Sequence, residues 1–102
     1  MRPDNVQAAT NAGHLMFAIE DEAHDERIGE YSTVEDAVTE LRRLADIPWD
    51  QEPNVAPCTH WPTCGRRYEV VEYDTSAPWR VLQRVPALNV SAKATEWLLQ
   101  QG

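Results

Sequence analysis

Apolar residues recur with helical spacing through residues 33–47, so this segment must bury one face against another element. Ser32 and Glu35 have the S-x-x-E spacing of a capping box at its start. Asp36 adds a negative charge to the first turn, and Pro48 ends the segment because the residue before a proline avoids the α conformation. The sequence therefore predicts an amphipathic helix of about four turns. Its apolar face consists of Val34, Ala37, Val38, Leu41, Leu44 and Ala45.

Two short strands are expected ahead of this helix. Leu15, Phe17 and Ile19 alternate with Met16, Ala18 and Glu20, which is the period-two pattern of a half-buried strand. A second and weaker strand is expected over residues 26–31, where Gly29 lowers strand stability. The acidic cluster between the two strands, over residues 20–26, is typical of a solvated turn.

Residues 67–85 have the pattern of a β-hairpin, with its turn at residues 74–78 (Asp-Thr-Ser-Ala-Pro). If Tyr73 pairs with Trp79, one face of the hairpin is apolar and the other carries charged pairs. A one-residue slip would exchange the two faces, so this assignment depends on the register. The more apolar face, which we expect to meet the helices, contains Val71, Tyr73, Trp79, Val81 and Val85.

A second helix is expected over residues 92–101, with Asn89 or Ser91 as its N-cap. Its short apolar stripe is formed by Ala94, Trp97 and Leu98. The elements then follow the order ββαββα. This order predicts an α+β fold with a four-stranded, mostly antiparallel sheet and two helices packed on one face.

The length of 102 residues supports one domain. Residues 1–13 are polar and show no periodicity, so we expect a flexible N-terminal tail there. Residues 14–102 are expected to form the single α+β domain.

The formal charge of −8 is concentrated in the first half of the chain. Residues 1–52 contain 13 acidic and 4 basic residues, whereas residues 53–102 contain 4 acidic and 5 basic residues. This acidity argues against generic binding to nucleic acids or anionic membranes and favours a basic protein partner. No apolar run is long enough to span a membrane, and no secretory signal pattern is visible, so we expect a cytoplasmic location.

Cys58, His60 and Cys64 lie close together in a proline-rich, irregular segment. Thiolates and imidazole are ligands that zinc prefers, but a structural zinc site needs four ligands and three are local here. His14 or His24 could supply the fourth ligand. A Cys58–Cys64 disulfide and a reactive Cys64 thiolate are further alternatives. We expect no cofactor and keep this segment as an alternative metal or thiol site.

Trp49 and Trp61 lie beside prolines, which is an arrangement typical of protein-binding hot spots. Leu, Ile, Val and Phe together make up only 20 of the 102 residues, so the core is the favoured place for both tryptophans. Arg66 and Arg67 complete the set of candidate binding residues.

No catalytic set of residues is recognisable. We therefore predict a small, non-enzymatic binding or regulatory module that acts through protein–protein contact, with residues 48–66 as the contact surface. The alternative is a small thiol- or zinc-dependent protein that uses Cys58, His60 and Cys64.

The chain resembles a group of small bacterial proteins of unassigned activity. The likeness covers roughly residues 15–99 and implies a small cytoplasmic bacterial domain without functional residues to carry over. His60 stands where the group has a small polar residue, which weakens the zinc hypothesis. The matching segments are residues 47–50 (Ile-Pro-Trp-Asp), 58–61 (Cys-Thr-His-Trp), 64–69 (Cys-Gly-Arg-Arg-Tyr-Glu), 78–80 (Pro-Trp-Arg) and 90–91 (Val-Ser).

Overall fold

The chain forms an antiparallel sheet with a helix packed on one face. The computed structural model describes residues 14–57, 65–76 and 78–99. Its elements are β1 (Leu15–Asp21), β2 (Glu26–Tyr31), α1 (Val34–Ala45), β3 (Gly65–Asp74), β4 (Arg80–Ser91) and β5 (Thr95–Trp97). The strand order is β2-β1-β3-β4-β5, and every neighbouring pair is antiparallel. Strand β3 therefore lies in the middle of the sheet. The predicted tail, residues 1–13, lies outside the described residues.

The predicted ββαββα order with two helices and four strands is wrong, because the described residues form five strands and one helix. The sequence predicts the second helix over residues 92–101, but the part of that range up to residue 99 forms a turn, β5 and a short irregular end instead. The hydroxyl of Ser91 accepts a hydrogen bond from the Lys93 N–H at 3.2 Å, and the Ser91 N–H donates to the Ala94 carbonyl at 3.0 Å. The supposed cap therefore closes a tight turn, and the β-prone residues Thr95 and Trp97 pair with β4.

Helix α1 forms where the apolar stripe predicts it, but its N-cap is one residue later than predicted. Thr33 has an extended backbone, and its Oγ1 accepts a hydrogen bond from the Asp36 N–H at 3.1 Å. Ser32 therefore lies one residue before the cap. The fully buried residues of the helix are Ala37, Leu41 and Leu44.

The β3–β4 hairpin is confirmed, but its predicted register is wrong. The innermost pair is Asp74 with Arg80, and Tyr73 lies opposite Val81 rather than Trp79. The ladder contains two irregularities that place extra residues in β4. A prediction that extends one register along the whole hairpin cannot anticipate such shifts.

The face that meets the helix also differs from the prediction. Tyr68 and Val70 belong to the core beneath α1. Strand alternation places Val71 and Tyr73 on the opposite face of the sheet. The face of β3 expected to meet the helices therefore lies on the side of the sheet away from α1.

Ion pairs organise the outward face of the sheet. Glu20 accepts hydrogen bonds from Arg27 at 3.0 Å and from the Tyr73 hydroxyl at 2.5 Å. Arg84 donates to Glu69 at 2.7 Å. These cross-strand contacts explain why charged residues occupy this face of the central strands.

The segment after the helix is anchored to the core by Asn54. Its buried amide donates to the carbonyls of Leu44 at 2.9 Å and Ile47 at 2.8 Å, and its Oδ1 accepts from the Tyr68 hydroxyl at 2.8 Å. Burial raises the pKa of Tyr68 to about 12. Asn54 thus satisfies carbonyls at the helix C-terminus and joins this end of the helix to β3. The core cluster comprises Ile19, Ala37, Leu41, Leu44, Tyr68, Val70, Ala87, Leu88 and Val90.

Candidate binding groove

A groove of about 680 Å³ separates helix α1 from strands β3 and β4. Its walls come from the helix side of the sheet, from the first turns of α1 and from the segment around β5. Most of its apolar side chains are only half-buried, so they contact solvent in the isolated chain. These partly exposed apolar residues are Phe17, Val34, Val38, Val85, Trp97 and Leu99.

The groove exists because the helix is too short to cover the sheet. The 12 residues of α1 extend over about 18 Å, whereas the 12 residues of β4 extend over about 40 Å. The helix packs against the second half of β4, where Ala87, Leu88 and Val90 are buried. The first half of β4 extends beyond it.

Trp97 and Arg42 form one end of the groove. The Arg42 guanidinium lies 5.4 Å from the centroid of the Trp97 ring, which is a cation–π arrangement. The buried Nε1 of Trp97 has no acceptor among the described residues. Packing and the guanidinium, rather than a hydrogen bond, therefore hold this indole.

Two carboxylates line the groove away from that end. Glu35 lies in the first turn of α1, seven residues before Arg42, and Glu72 projects from β3. The Glu72 carboxylate accepts a hydrogen bond from the Gln83 amide at 2.8 Å. The groove thus combines an apolar lining with acidic groups, and Arg42 is engaged with an aromatic ring.

The structure places the predicted binding residue Trp49 half-buried against the core cluster. Trp97 packs against the same cluster, so these two tryptophans supplement the small number of aliphatic side chains. Trp61 lies outside the described residues.

Arg66 is buried inside the protein. Its guanidinium donates hydrogen bonds to Asp21 at 2.9 Å, to the Val55 carbonyl at 2.9 Å and to Glu26. Asp21 is fully buried and also accepts from the Arg67 N–H at 3.0 Å. The charge of Arg66 is therefore neutralised within the fold.

The electrostatics of Asp21 follow from these contacts. Burial alone would raise the pKa of Asp21, but hydrogen bonds from Arg66, from the Arg67 backbone and from His24 hold that pKa below its usual value. The Nδ1 atom of His24 lies 2.7 Å from Asp21 Oδ2. This arrangement joins the end of β1 to the start of β3.

Arg67 lies on the surface, where its Nε is 3.0 Å from Glu22. Two other arginines of the hairpin also contact carboxylates: Arg80 is 3.0 Å from Asp74, and Arg84 is 2.7 Å from Glu69. The basic side chains of the hairpin are thus paired with acids rather than gathered into a positive strip.

The candidate metal or thiol residues Cys58, His60 and Cys64 lie outside the described residues. Within the part of the chain that the structure describes, no group of three or more potential ligands converges on a metal-sized site. The zinc and thiol alternative therefore stays a prediction from sequence.

The groove itself is missed by the sequence patterns. They assign Val34 and Val38 to the buried stripe of the helix and Val85 to the buried face of the hairpin. Val34 is in fact 42% exposed, because it is the first residue of the short helix and lines the open groove. One sequence signal could have indicated the groove: the strands of the predicted hairpin are longer in space than the predicted helix.

No protein-family model, curated protein or solved structure matches the chain. The described residues contain no helix that is long and apolar enough to cross a membrane.

Proposed function

We propose that this protein is a non-enzymatic binding module that acts through protein–protein contact, with the groove between α1 and the sheet as its contact surface. The observation that carries the proposal is the row of half-exposed apolar side chains along the groove. Covering such side chains removes apolar surface from water, which is the main favourable term in protein association. The cytoplasmic location expected from the sequence belongs to the same proposal.

The partner is expected to be a segment that is apolar and carries at least one basic residue. Its apolar side chains would enter the groove, and its positive charge would approach Glu35 and Glu72. The chain as a whole has a formal charge of −8, which favours encounter with a positively charged partner.

This proposal moves the contact surface away from residues 48–66. Trp49 packs on the core, and Arg66 forms a buried ion pair. Both residues stabilise the fold, so the proposed contact surface is the groove, whose apolar lining is partly exposed.

A matched pair of substitutions tests the proposal. Val34 is 42% exposed and lines the groove, whereas Leu98 is 41% exposed and lies outside both the groove and β4. We expect Val34→Asp to weaken binding by about tenfold or more, because it places a charge against the apolar lining. Leu98→Asp introduces the same charge at nearly the same exposure and should leave binding nearly unchanged.

The measurement starts from three immobilised proteins, the unsubstituted chain and the two variants, each shown by circular dichroism to be folded. Proteins retained from an extract of the source organism are identified by mass spectrometry, and their dissociation constants are then measured in purified form. A partner lost only with Val34→Asp supports the proposal. Equal retention by all three proteins, or no retention by any of them, contradicts it.

A further inference from the structure

The outer edge of β4 is only partly covered. Strand β5 pairs with Leu88–Val90, and beyond these pairs the Leu98 N–H donates to the Ala87 carbonyl at 2.9 Å. Among the described residues, no strand lies beside residues 80–86 on the β5 side of β4. This stretch of seven residues presents about 23 Å of strand edge.

The uncovered edge and the groove are continuous. Gln83 and Val85 belong to the uncovered stretch and also line the groove. A strand added beside them would lie about 4.8 Å from β4. Every second side chain of that strand would then project toward the helix side of the sheet, into the groove.

The edge carries features that attract a strand together with features that limit uncontrolled pairing. Val81 and Leu82 are exposed apolar residues of high or moderate strand preference. Pro86 lacks an N–H, and the irregularities of the β3–β4 ladder twist the strand locally. The part of the β4 edge that can pair with an added strand is therefore short.

A second copy of the chain is disfavoured as the occupant by charge. Each copy carries a formal charge of −8, and Glu35 and Glu72 would face another acidic protein. A segment with lysine or arginine complements these carboxylates.

We propose that the partner binds as an added β-strand along residues 80–86 of β4, with alternate apolar side chains in the groove and a lysine or arginine near Glu35 and Glu72. This inference rests on the proposed function and specifies how the partner binds. Backbone hydrogen bonds to the edge would supply affinity, and the groove would select the alternate side chains.

The test uses a library of random 12-residue peptides displayed on phage, selected against the full chain and counter-selected against Val34→Asp. We expect the enriched peptides to alternate apolar with other residues and to contain lysine or arginine. The best peptide is then synthesised and N-methylated at one residue at a time. Strand addition predicts losses of tenfold or more at every second position, because only alternate amides face the β4 edge.

The outcomes distinguish a failure of strand addition from a failure of groove binding itself. Apolar residues spaced three and four apart, with no two-residue period in the N-methyl series, would overturn strand addition while leaving groove binding intact. If no peptide prefers the unsubstituted chain over Val34→Asp, both proposals fail. A dimer detected by sedimentation, and dissociated by the selected peptide, would identify a second copy as the occupant and would also overturn the proposal.

Discussion

The turn after β1 and the start of β3 meet at the carboxylate of Asp21, the last residue of β1. It accepts hydrogen bonds from Arg66 and from the backbone N–H groups of Arg67 and Ala23, and it contacts His24. Through Arg66 the contact extends to the loop around Val55. A buried charge is tolerated here because the Arg66 guanidinium and two backbone N–H groups satisfy the carboxylate.

Asp21→Ala is expected to lower the free energy of unfolding by about 3–5 kcal/mol, because it leaves the Arg66 guanidinium buried without its main counter-charge. Urea unfolding at neutral pH provides the measurement. Glu22→Ala is the control, since it breaks an exposed ion pair with Arg67 and should cost at most about 1 kcal/mol. Equal costs for the two substitutions would show that the Asp21 contacts contribute little.

The same carboxylate determines part of the pH dependence. Because the pKa of Asp21 is lower in the folded protein than its usual value of 3.8, the unfolded chain binds more protons as the pH falls. The stability that Asp21 provides is present at neutral pH and is lost below about pH 4. Between about pH 5 and pH 3, the unsubstituted protein should therefore lose more stability than Asp21→Ala, and parallel pH profiles would argue against this role.

Individual elements show which sequence signals decide local structure. Helix α1 has both a regular apolar stripe and a cap, and it forms as predicted with its N-terminus shifted by one residue. The segment after β4 has a cap-like serine and a stripe of three residues, and the uncovered edge of β4 turns it into β5 instead. A short stripe is thus outweighed by backbone pairing with a neighbouring strand.

The shifted cap can be tested directly. Thr33→Ala should destabilise the protein by about 1 kcal/mol, because it removes the hydroxyl that accepts from the Asp36 N–H. Ser32→Ala should change stability by less than about 0.5 kcal/mol, since Ser32 is exposed and precedes the cap. Thermal unfolding of both variants compares the two positions. A larger loss of stability for Ser32→Ala than for Thr33→Ala would indicate that Ser32 is the N-cap, as the sequence suggests.

Local patterns predict the helix and the four strands through β4, because each depends mainly on its own residues. They do not predict which face of β3 meets the helix, since Val71 is apolar and fully buried although it lies on the opposite face, the one that carries the ion pairs of Glu20. The groove is missed for a related reason. Whether Val34 is covered depends on the length of β4, which is a property of a distant segment.

At the scale of the whole molecule, the sheet is arranged around β3. Both of its edges are paired along most of their length, with β1 on one side and β4 on the other. The outer strands β2 and β5 each have one neighbour among the described residues. Stability against local opening should therefore decrease from the centre of the sheet outward.

Native-state hydrogen exchange measures this gradient. The amides of Val70 and Val71 are expected to exchange only through global unfolding and to be the slowest in the chain. Amides of β5, such as that of Glu96, should exchange faster by at least about tenfold, because this strand forms only three residue pairs. Equal protection across the sheet would indicate that all five strands open together.

The pairing of Asp21 with Arg66 has an evolutionary consequence. The two residues are 45 positions apart in the sequence, yet each leaves the other as an uncompensated charge if it is replaced alone. Single replacements at either position should be removed by selection, whereas joint replacement by two apolar residues of similar size is tolerable. In any lineage that descends from this chain, the two positions are therefore expected to change together, and this covariation would record the contact between the first and third strands.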